Sequence, residues 1–269
     1  MVLWIKSIKI FFLGCAAALC LLCAALRQNA YGENISEDNL VKIVQKVLQD
    51  HPDILLDVLR KNSEAVLDIA QQGSNIRRQR SLEKQWDEDL KTAKKIKLEN
   101  RPVLGSPKAK VRIVAFSDFS CHFCQQASGT VDSLLQEFGK DVCLVFKNFP
   151  LDEKGVGGSA ARYFLATAQQ SDAKAWELYR KLFAGRDRLV TEGEKYLKNT
   201  VADLGLDMKR FNRDLYGKKV SDILKEDMED AKKLGIEGTP YFLVNDIVVR
   251  GALPLDLFRL AVQKALRAS

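Results

Sequence analysis

The sequence predicts an α/β fold in which a strand–helix–strand core is interrupted by a helical insertion and preceded by a helical extension. Three observations predict it. Two strongly apolar runs, 111–116 and 142–146, flank a helical stripe made by Val131, Leu134, Leu135 and Phe138. That order implies a right-handed crossover between parallel strands. Residues 157–233 then read as helix almost throughout, and residues 33–100 carry helical periodicity broken only at Pro52 and Gly73.

Taken in order, the first segment carries Lys6 and Lys9 without an acid, then an uncharged apolar run over 10–26. Ala30-Tyr31-Gly32 offers small residues at cleavage spacing, so residues 1–32 read as a secretory signal peptide. An uncleaved membrane anchor over 10–26 is the alternative, and either reading exports the rest of the chain. Cys15, Cys20 and Cys23 lie in this run without a lipoprotein pattern around them and read as apolar filler.

Residues 33–100 form the extension. Leu40, Ile43, Val44, Val47 and Leu48 make one apolar stripe, and Pro52 stands at the first position of the next helix. Ile54, Leu55, Val58 and Leu59 start a second stripe, which Val66, Leu67, Ile69 and Ala70 extend. From Arg77 to Arg101 the composition is highly charged, which reads as a long solvated helix leading to the next domain. Short amphipathic helices have little of their own to bury, so residues 33–75 are expected to form a homodimer or homotrimer.

Arg101-Pro102 to Pro107 is loop-like and places the main domain at 101–269, with its helical insertion at about 155–234. The first strand covers 111–116, a helix runs from Cys121 to about Phe138, and the second strand covers 142–146. Ser171-Asp172, Thr191 and Asp207 are expected N-caps within the insertion. Strands at 241–244 and 247–250 form a hairpin about Asn245-Asp246, and an amphipathic helix at 255–266 closes the fold.

The chemistry sits in Cys121-His122-Phe123-Cys124, at the turn between strand and helix. A helix N-terminus presents outward-facing N–H groups that stabilise a thiolate. Cys121, nearest that terminus, is the expected nucleophile, and Cys124, one turn in, the resolving cysteine. Half of a zinc site is the other use of CxxC, but beyond the N-terminal apolar run no second CxxC or Cys/His pair exists to complete a tetrahedral set. His122 stands where its imidazole would favour the thiolate. Asp118 would either accept a proton from the resolving cysteine or cap the helix. Cys143, on a central strand, reads as an inert core residue. Phe119, Phe123 and Tyr241 are expected to form an apolar surface around the sulfur.

The stretch 116–124, Phe-Ser-Asp-Phe-Ser-Cys-His-Phe-Cys, together with Gly235-Ile236-Glu237-Gly238-Thr239-Pro240-Tyr241-Phe242, resembles the DsbA-like branch of the thioredoxin superfamily. The resemblance covers roughly 102–269. It implies a thioredoxin fold with an inserted helical domain and a cis-proline at Pro240 set against the CxxC. It also implies that the backbone of Thr239 pairs with substrate. Some DsbA-like proteins, the ScsC type among them, are similar in carrying an N-terminal helical extension that oligomerises. His-Phe between the cysteines departs from the more familiar Pro-His of this family.

The expected function is a thiol:disulfide oxidoreductase of the periplasm or cell envelope that needs no cofactor. It would form or isomerise disulfides in unfolded or partly folded secreted proteins, and a membrane or thiol redox partner would reset the pair. The alternative is a copper-binding or copper-tolerance protein using the two thiolates as soft ligands, with few His or Met residues to help. The formal charge is +7, and losing Lys6, Lys9 and Arg27 with the signal peptide lowers it to +4. Basic and acidic residues are interleaved without an aromatic pattern, so no nucleic-acid partner is expected.

Overall fold

The structure is a computed structural model that describes residues 36–269. The signal-peptide, cleavage and anchor readings, with Cys15, Cys20 and Cys23, therefore lie outside the described residues. The chain divides into two units, one ending at Ser74 and one running from Asn75 to Ser269.

In the first unit, α1 (Glu37–Asp50) starts at Ser36, whose side chain accepts a hydrogen bond from the Asn39 amide. Helix α2 (Pro52–Lys61) opens on Pro52 at its first turn, where a missing N–H is harmless. Helix α3 (Ser63–Asp89) begins here and continues into the second unit. No residue of α1 or α2 is buried. Leu40, Ile43, Val44 and Val58 are each about half exposed, so the apolar stripes have no cover within the described chain.

The second unit is built on a five-stranded sheet of order β1-β3-β2-β4-β5. Its strands are β1 (Val103–Gly105), β2 (Val111–Ser117), β3 (Val142–Asn148), β4 (Tyr241–Val244) and β5 (Ile247–Arg250). Strands β2 and β3 are parallel, in register from Val111 opposite Val142 to Ser117 opposite Asn148, and the other pairs are antiparallel. Helix α4 (His122–Phe138) makes the crossover between β2 and β3. The insertion between β3 and β4 comprises α5 (Val156–Ala168), α6 (Asp172–Ala184), α7 (Arg186–Glu192), α8 (Glu194–Ala202), α9 (Met208–Leu215) and α10 (Lys218–Lys233). Helix α11 (Leu255–Ala268) ends the chain.

Both faces of the central strands are buried, which is why β2 and β3 read as continuous apolar runs rather than alternating ones. Ile113, Ala115, Leu144 and Phe146 pack with α4, α11 and the insertion, while Val114, Phe116 and Val145 pack on the opposite face with Ala231 and Ile236.

Three expectations need correction. The stretch at 101–107 contains a strand, β1, whose residues hydrogen-bond to the edge of β3. Gly105 closes it at φ +95, where a Cβ would meet the Val142 carbonyl oxygen at 2.9 Å. Thr191 does not cap a helix. It lies inside α7, with its hydroxyl donating to the Asp187 carbonyl. Finally, the second unit begins at Asn75 and not at 101. Trp86 of α3 is fully buried, and its indole N–H donates to the Val248 carbonyl at 3.1 Å. Asp89 accepts from the Val248 amide at 3.0 Å, so the end of α3 is docked on β5 rather than solvated.

The rest of that charged segment is held by a buried ion network. Asp227 of α10 takes the Arg101 guanidinium at 2.7 Å and the Lys147 ammonium at 3.0 Å. Lys147 also reaches Asp230 at 2.8 Å and the Lys97 carbonyl at 2.7 Å. The three side chains Arg101, Lys147 and Asp227 are fully buried, and such a set holds only when every charge keeps its partners. It fixes α10 against β3, and α10 leads directly to the loop at 235–240.

Removing the Trp86 ring leaves a large cavity and reduces the side-chain donors to the Val248 carbonyl to Gln85, at 3.3 Å. Trp86→Ala should lower the unfolding free energy by about 3–5 kcal/mol in urea titration of the full chain. A loss below about 1 kcal/mol would return residues 75–89 to the status of a solvated connector.

Candidate active site

Strand β2 ends at Ser117, and the turn 118–121 delivers Cys121 to the start of α4. The carboxylate of Asp118, buried, holds that turn. Its Oδ1 accepts from the Ser120 amide at 2.8 Å and the Ser120 hydroxyl at 2.7 Å. Its Oδ2 accepts from the Leu151 amide at 3.0 Å, which ties the turn to the loop after β3. These bonds, and not a thiol or the amides of α4, occupy the carboxylate. The start of α5 lies so close that a Cβ on Gly157 would come within 2.5 Å of Asp118 Oδ1.

Cys121 is the N-cap of α4, with extended backbone, and no acid stands in the first turn to compete for its amides. Its thiol is held down to about 5, first by a hydrogen bond from Cys124, then by the Thr239 side chain and the amides of Cys124 and Phe123, against partial burial. The sulfur stands at the N-cap position, although it makes no capping hydrogen bond of the kind a Ser or Asp oxygen makes there. Cys124, one turn in and buried, is pushed strongly up by burial and by the neighbouring Cys121. The Ser117 side chain and the backbone of Asp118 act on it in the opposite direction. Both cysteines are free thiols in this structure.

The Thr239–Pro240 peptide is cis. The Thr239 carbonyl oxygen lies 3.7 Å from Cys121 Sγ. Fold and loop therefore bring Cys121 and Cys124 beside the Thr239–Pro240 peptide. Asp118 lies directly beneath, in the structural role just described. His122 turns away: its Nε2 lies 2.9 Å from the Gln126 amide nitrogen, and its ring packs on Phe123. It is absent from the groups that hold the thiolate.

The apolar surface is also differently composed. Phe119 is buried against Phe146 and Phe183, with ring centres 4.8 and 5.0 Å away, and Tyr241 is buried on β4. Phe123 and Leu151 are the exposed large apolar residues beside the turn. Cys143 is buried on β3, where burial pushes its thiol up. A cavity of about 690 Å³ lies between α10 and the loops leading to Leu151 and Thr239, lined in part by Phe149, Leu224, Met228 and Ile236. Among the described residues, no group of three or more His, Cys, Asp or Glu side chains converges as metal ligands would.

Residues that the sequence does not advertise complete the site. Ser117 faces Cys124. Gln125 donates to the Phe183 carbonyl at 2.8 Å, and Arg186 donates to the Ser120 carbonyl at 2.8 Å. Both link α4 to the insertion, and a contact between residues some sixty positions apart leaves no local pattern to read.

The sequence profile of the family described as Thioredoxin matches residues 97–264. The chain belongs to the thioredoxin family. Among solved structures, a thioredoxin-like oxidoreductase from Silicibacter pomeroyi DSS-3 is 31% identical, with a TM-score of 0.54, and the match covers 64% of this chain and 95% of that one. ScsC of Proteus mirabilis, in a transitional conformation, has the same fold at 20% identity and a TM-score of 0.53, covering 88% of this chain and 100% of that one. A probable disulfide bond formation protein D of Bacillus anthracis is 28% identical over 173 residues, 61% of this chain and 77% of that protein. The chain spans only 24% of the length of another curated relative, Na(+)/H(+) antiporter NhaA 1 of Mycobacterium sp. (strain KMS), which is 33% identical over 150 residues, 55% of this chain. The chain thus joins a thioredoxin-family fold to a CxxC pair at the start of α4.

The thiol's lowered value fixes a pH dependence. An acid whose folded value falls to about 5 from an ordinary 9.0 adds stability in full above pH 9, and loses it as pH falls through 5. Cys124, pushed up, acts oppositely and costs stability only above its ordinary value. The melting temperature of the reduced protein, relative to the oxidised one, should therefore rise between pH 5 and 9. Thiolate absorbance near 240 nm should titrate at about 5. A midpoint near 9 would contradict the assignment of Cys121 as the stabilised thiolate.

Proposed function

We propose that this protein is an exported thiol:disulfide oxidoreductase that forms or reshuffles disulfides in unfolded or partly folded secreted proteins. One observation carries the reading: a thiolate-favouring Cys121 stands at a helix start, backed by a buried, protonated Cys124 and faced by the Thr239 backbone. In the oxidised protein a client thiolate attacks Cys121 Sγ, the Cys121–Cys124 bond breaks, and Cys124 leaves and takes up a proton. A second client thiolate then attacks the client sulfur of the mixed disulfide. The client disulfide forms, and Cys121 departs as the stabilised thiolate. Two electrons have passed to the pair, and a membrane or thiol redox partner must remove them to reset it.

The names of the Bacillus and Silicibacter relatives support this chemistry, and the charge pattern of residues 1–32 supports export to the periplasm or envelope. Among the described residues, no helix is long and apolar enough to cross a membrane. The uncovered stripes of α1 and α2 support self-association through residues 33–75. An oligomer would present several Cys121 sites around one base, which suits isomerisation, whereas a monomer would suit simple oxidation.

Two measurements test this. With a client that already carries a disulfide, Cys124→Ser should accumulate a mixed disulfide, formed when the Cys121 thiolate attacks the client disulfide and expels one client thiolate, and released by reductant. Cys121→Ser should trap none, and with a reduced dithiol client it should lose at least about 10³-fold in oxidase activity. Equal trapping by both variants would refute the role assignment. Sedimentation of the full mature chain should give a dimer or trimer, and of a chain beginning at Asn75, where the second unit starts, a monomer. Monomer mass for both would remove the oligomer and leave the oxidase.

A further inference from the structure

We infer that Arg186, at the first turn of α7 in the helical insertion, is a positioning residue for the nucleophile, acting through the Ser120–Cys121 peptide. The inference rests on the thiol–disulfide reading and adds to it a residue outside the CxxC turn and the Thr239-Pro240 loop.

The peptide unit joining Ser120 to Cys121 is pinned at both ends. Its carbonyl accepts from Arg186 Nε at 2.8 Å, and its N–H donates to the Asp118 carbonyl at 3.1 Å. Asp118 also holds the Ser120 amide and hydroxyl. With these contacts made, the plane of the peptide that launches α4 has no free rotation. That plane sets the backbone of Cys121 at the N-cap position, φ −79 and ψ 126, from which its Sγ lies 3.7 Å from the Thr239 carbonyl oxygen. A hydrogen bond from a guanidinium is charge-assisted and directional, so Arg186 fixes orientation better than a neutral donor would.

The contact is built rather than incidental. The Arg186 side chain is about one-fifth exposed, and its other end is paired with Asp187 at 2.9 Å. One turn into α4, Gln125 donates to the Phe183 carbonyl at 2.8 Å, so the junction of α6 and α7 grips the same helix start twice. The insertion is thereby coupled to the reacting sulfur by two hydrogen bonds, of which the Arg186 bond is adjacent to it.

The test compares wild type, R186Q, R186K and D187N as full mature chains, reading thiolate absorbance against pH and the equilibrium with glutathione. R186Q should raise the thiolate midpoint by about half a unit to one unit, a 3- to 10-fold loss in acid dissociation. The pair should become more reducing by up to about tenfold, which is about 30 mV. R186K, a cation without the fixed Nε donor, should fall between R186Q and wild type. D187N keeps the Ser120 bond and should match wild type. The denaturation midpoint of oxidised R186Q separates local repositioning from general loss of structure. A wild-type midpoint and potential for R186Q would overturn the inference. Should R186Q not fold, R186K decides: an intermediate midpoint supports the inference and a wild-type one overturns it. The inference is read from differences between variants, whereas a wild-type protein titrating near the ordinary thiol value would sink the underlying thiol reading.

Discussion

Everything distinctive in this structure depends on one arrangement, a pair of thiols at the start of α4 in which the buried Cys124 donates to Cys121 at the N-cap position. An exposed helix start leaves amides without partners, and an ordinary cap would satisfy them with oxygen. Here Cys121 offers sulfur without a capping hydrogen bond, and no acid stands in the first turn. The ionised form is favoured first by the Cys124 thiol, then by the Thr239 side chain and the amides of Cys124 and Phe123. Burial of Cys124 one turn later keeps the second thiol protonated. Two identical side chains three positions apart are thus driven in opposite directions by the dielectric and dipoles around them. That division makes one sulfur the point of attack and a good leaving group, and reserves the other for resolution.

The fold's task is to hold three loops against that helix start. Parallel pairing of β2 with β3 brings the CxxC turn and the loop at 149–155 to the same end of the sheet, where Asp118 joins them. Antiparallel pairing of β2 with β4, with Phe116 opposite Tyr241, brings the loop at 235–240 to that end as well. The buried ions Arg101, Lys147, Asp227 and Asp230 lock α10 to β3, and so anchor the chain just before that loop. The insertion reaches the site through Gln125 and Arg186. A hydrophobic core alone would tolerate small slides of helix on sheet, whereas charged and hydrogen-bonded contacts tolerate few.

What was legible in the sequence was local. Apolar runs gave β2 and β3, the stripe from Val131 to Phe138 gave α4, and Ser171 and Asp207 cap their helices as expected. Asn245, at φ +51, turns the hairpin where the strand pattern stops. The thiol pair and the Thr239-Pro240 loop were found because each is a compact motif. What was missed depends on partners far along the chain. Trp86 sits in a charged helix and is buried only because β5 receives it 162 residues later. Strand β1 is three residues long and exists through pairing with β3. Lys147, one position past the expected strand, is buried and neutralised by two aspartates on α10. Phe119 looked like site surface, yet a ring cluster from α5 and α6 claims it. His122 stood at the right position in the motif, but its ring found Gln126.

A Cys121 thiolate stabilised chiefly by the Cys124 thiol favours the reduced state and makes the disulfide a strong oxidant. The most direct test is the reduction potential of the Cys121–Cys124 pair in the mature chain, equilibrated against glutathione. The account predicts a value at or above about −180 mV, in the range of proteins that pass their disulfide onward. A value near about −270 mV would mark a thioredoxin-like reductant and contradict it.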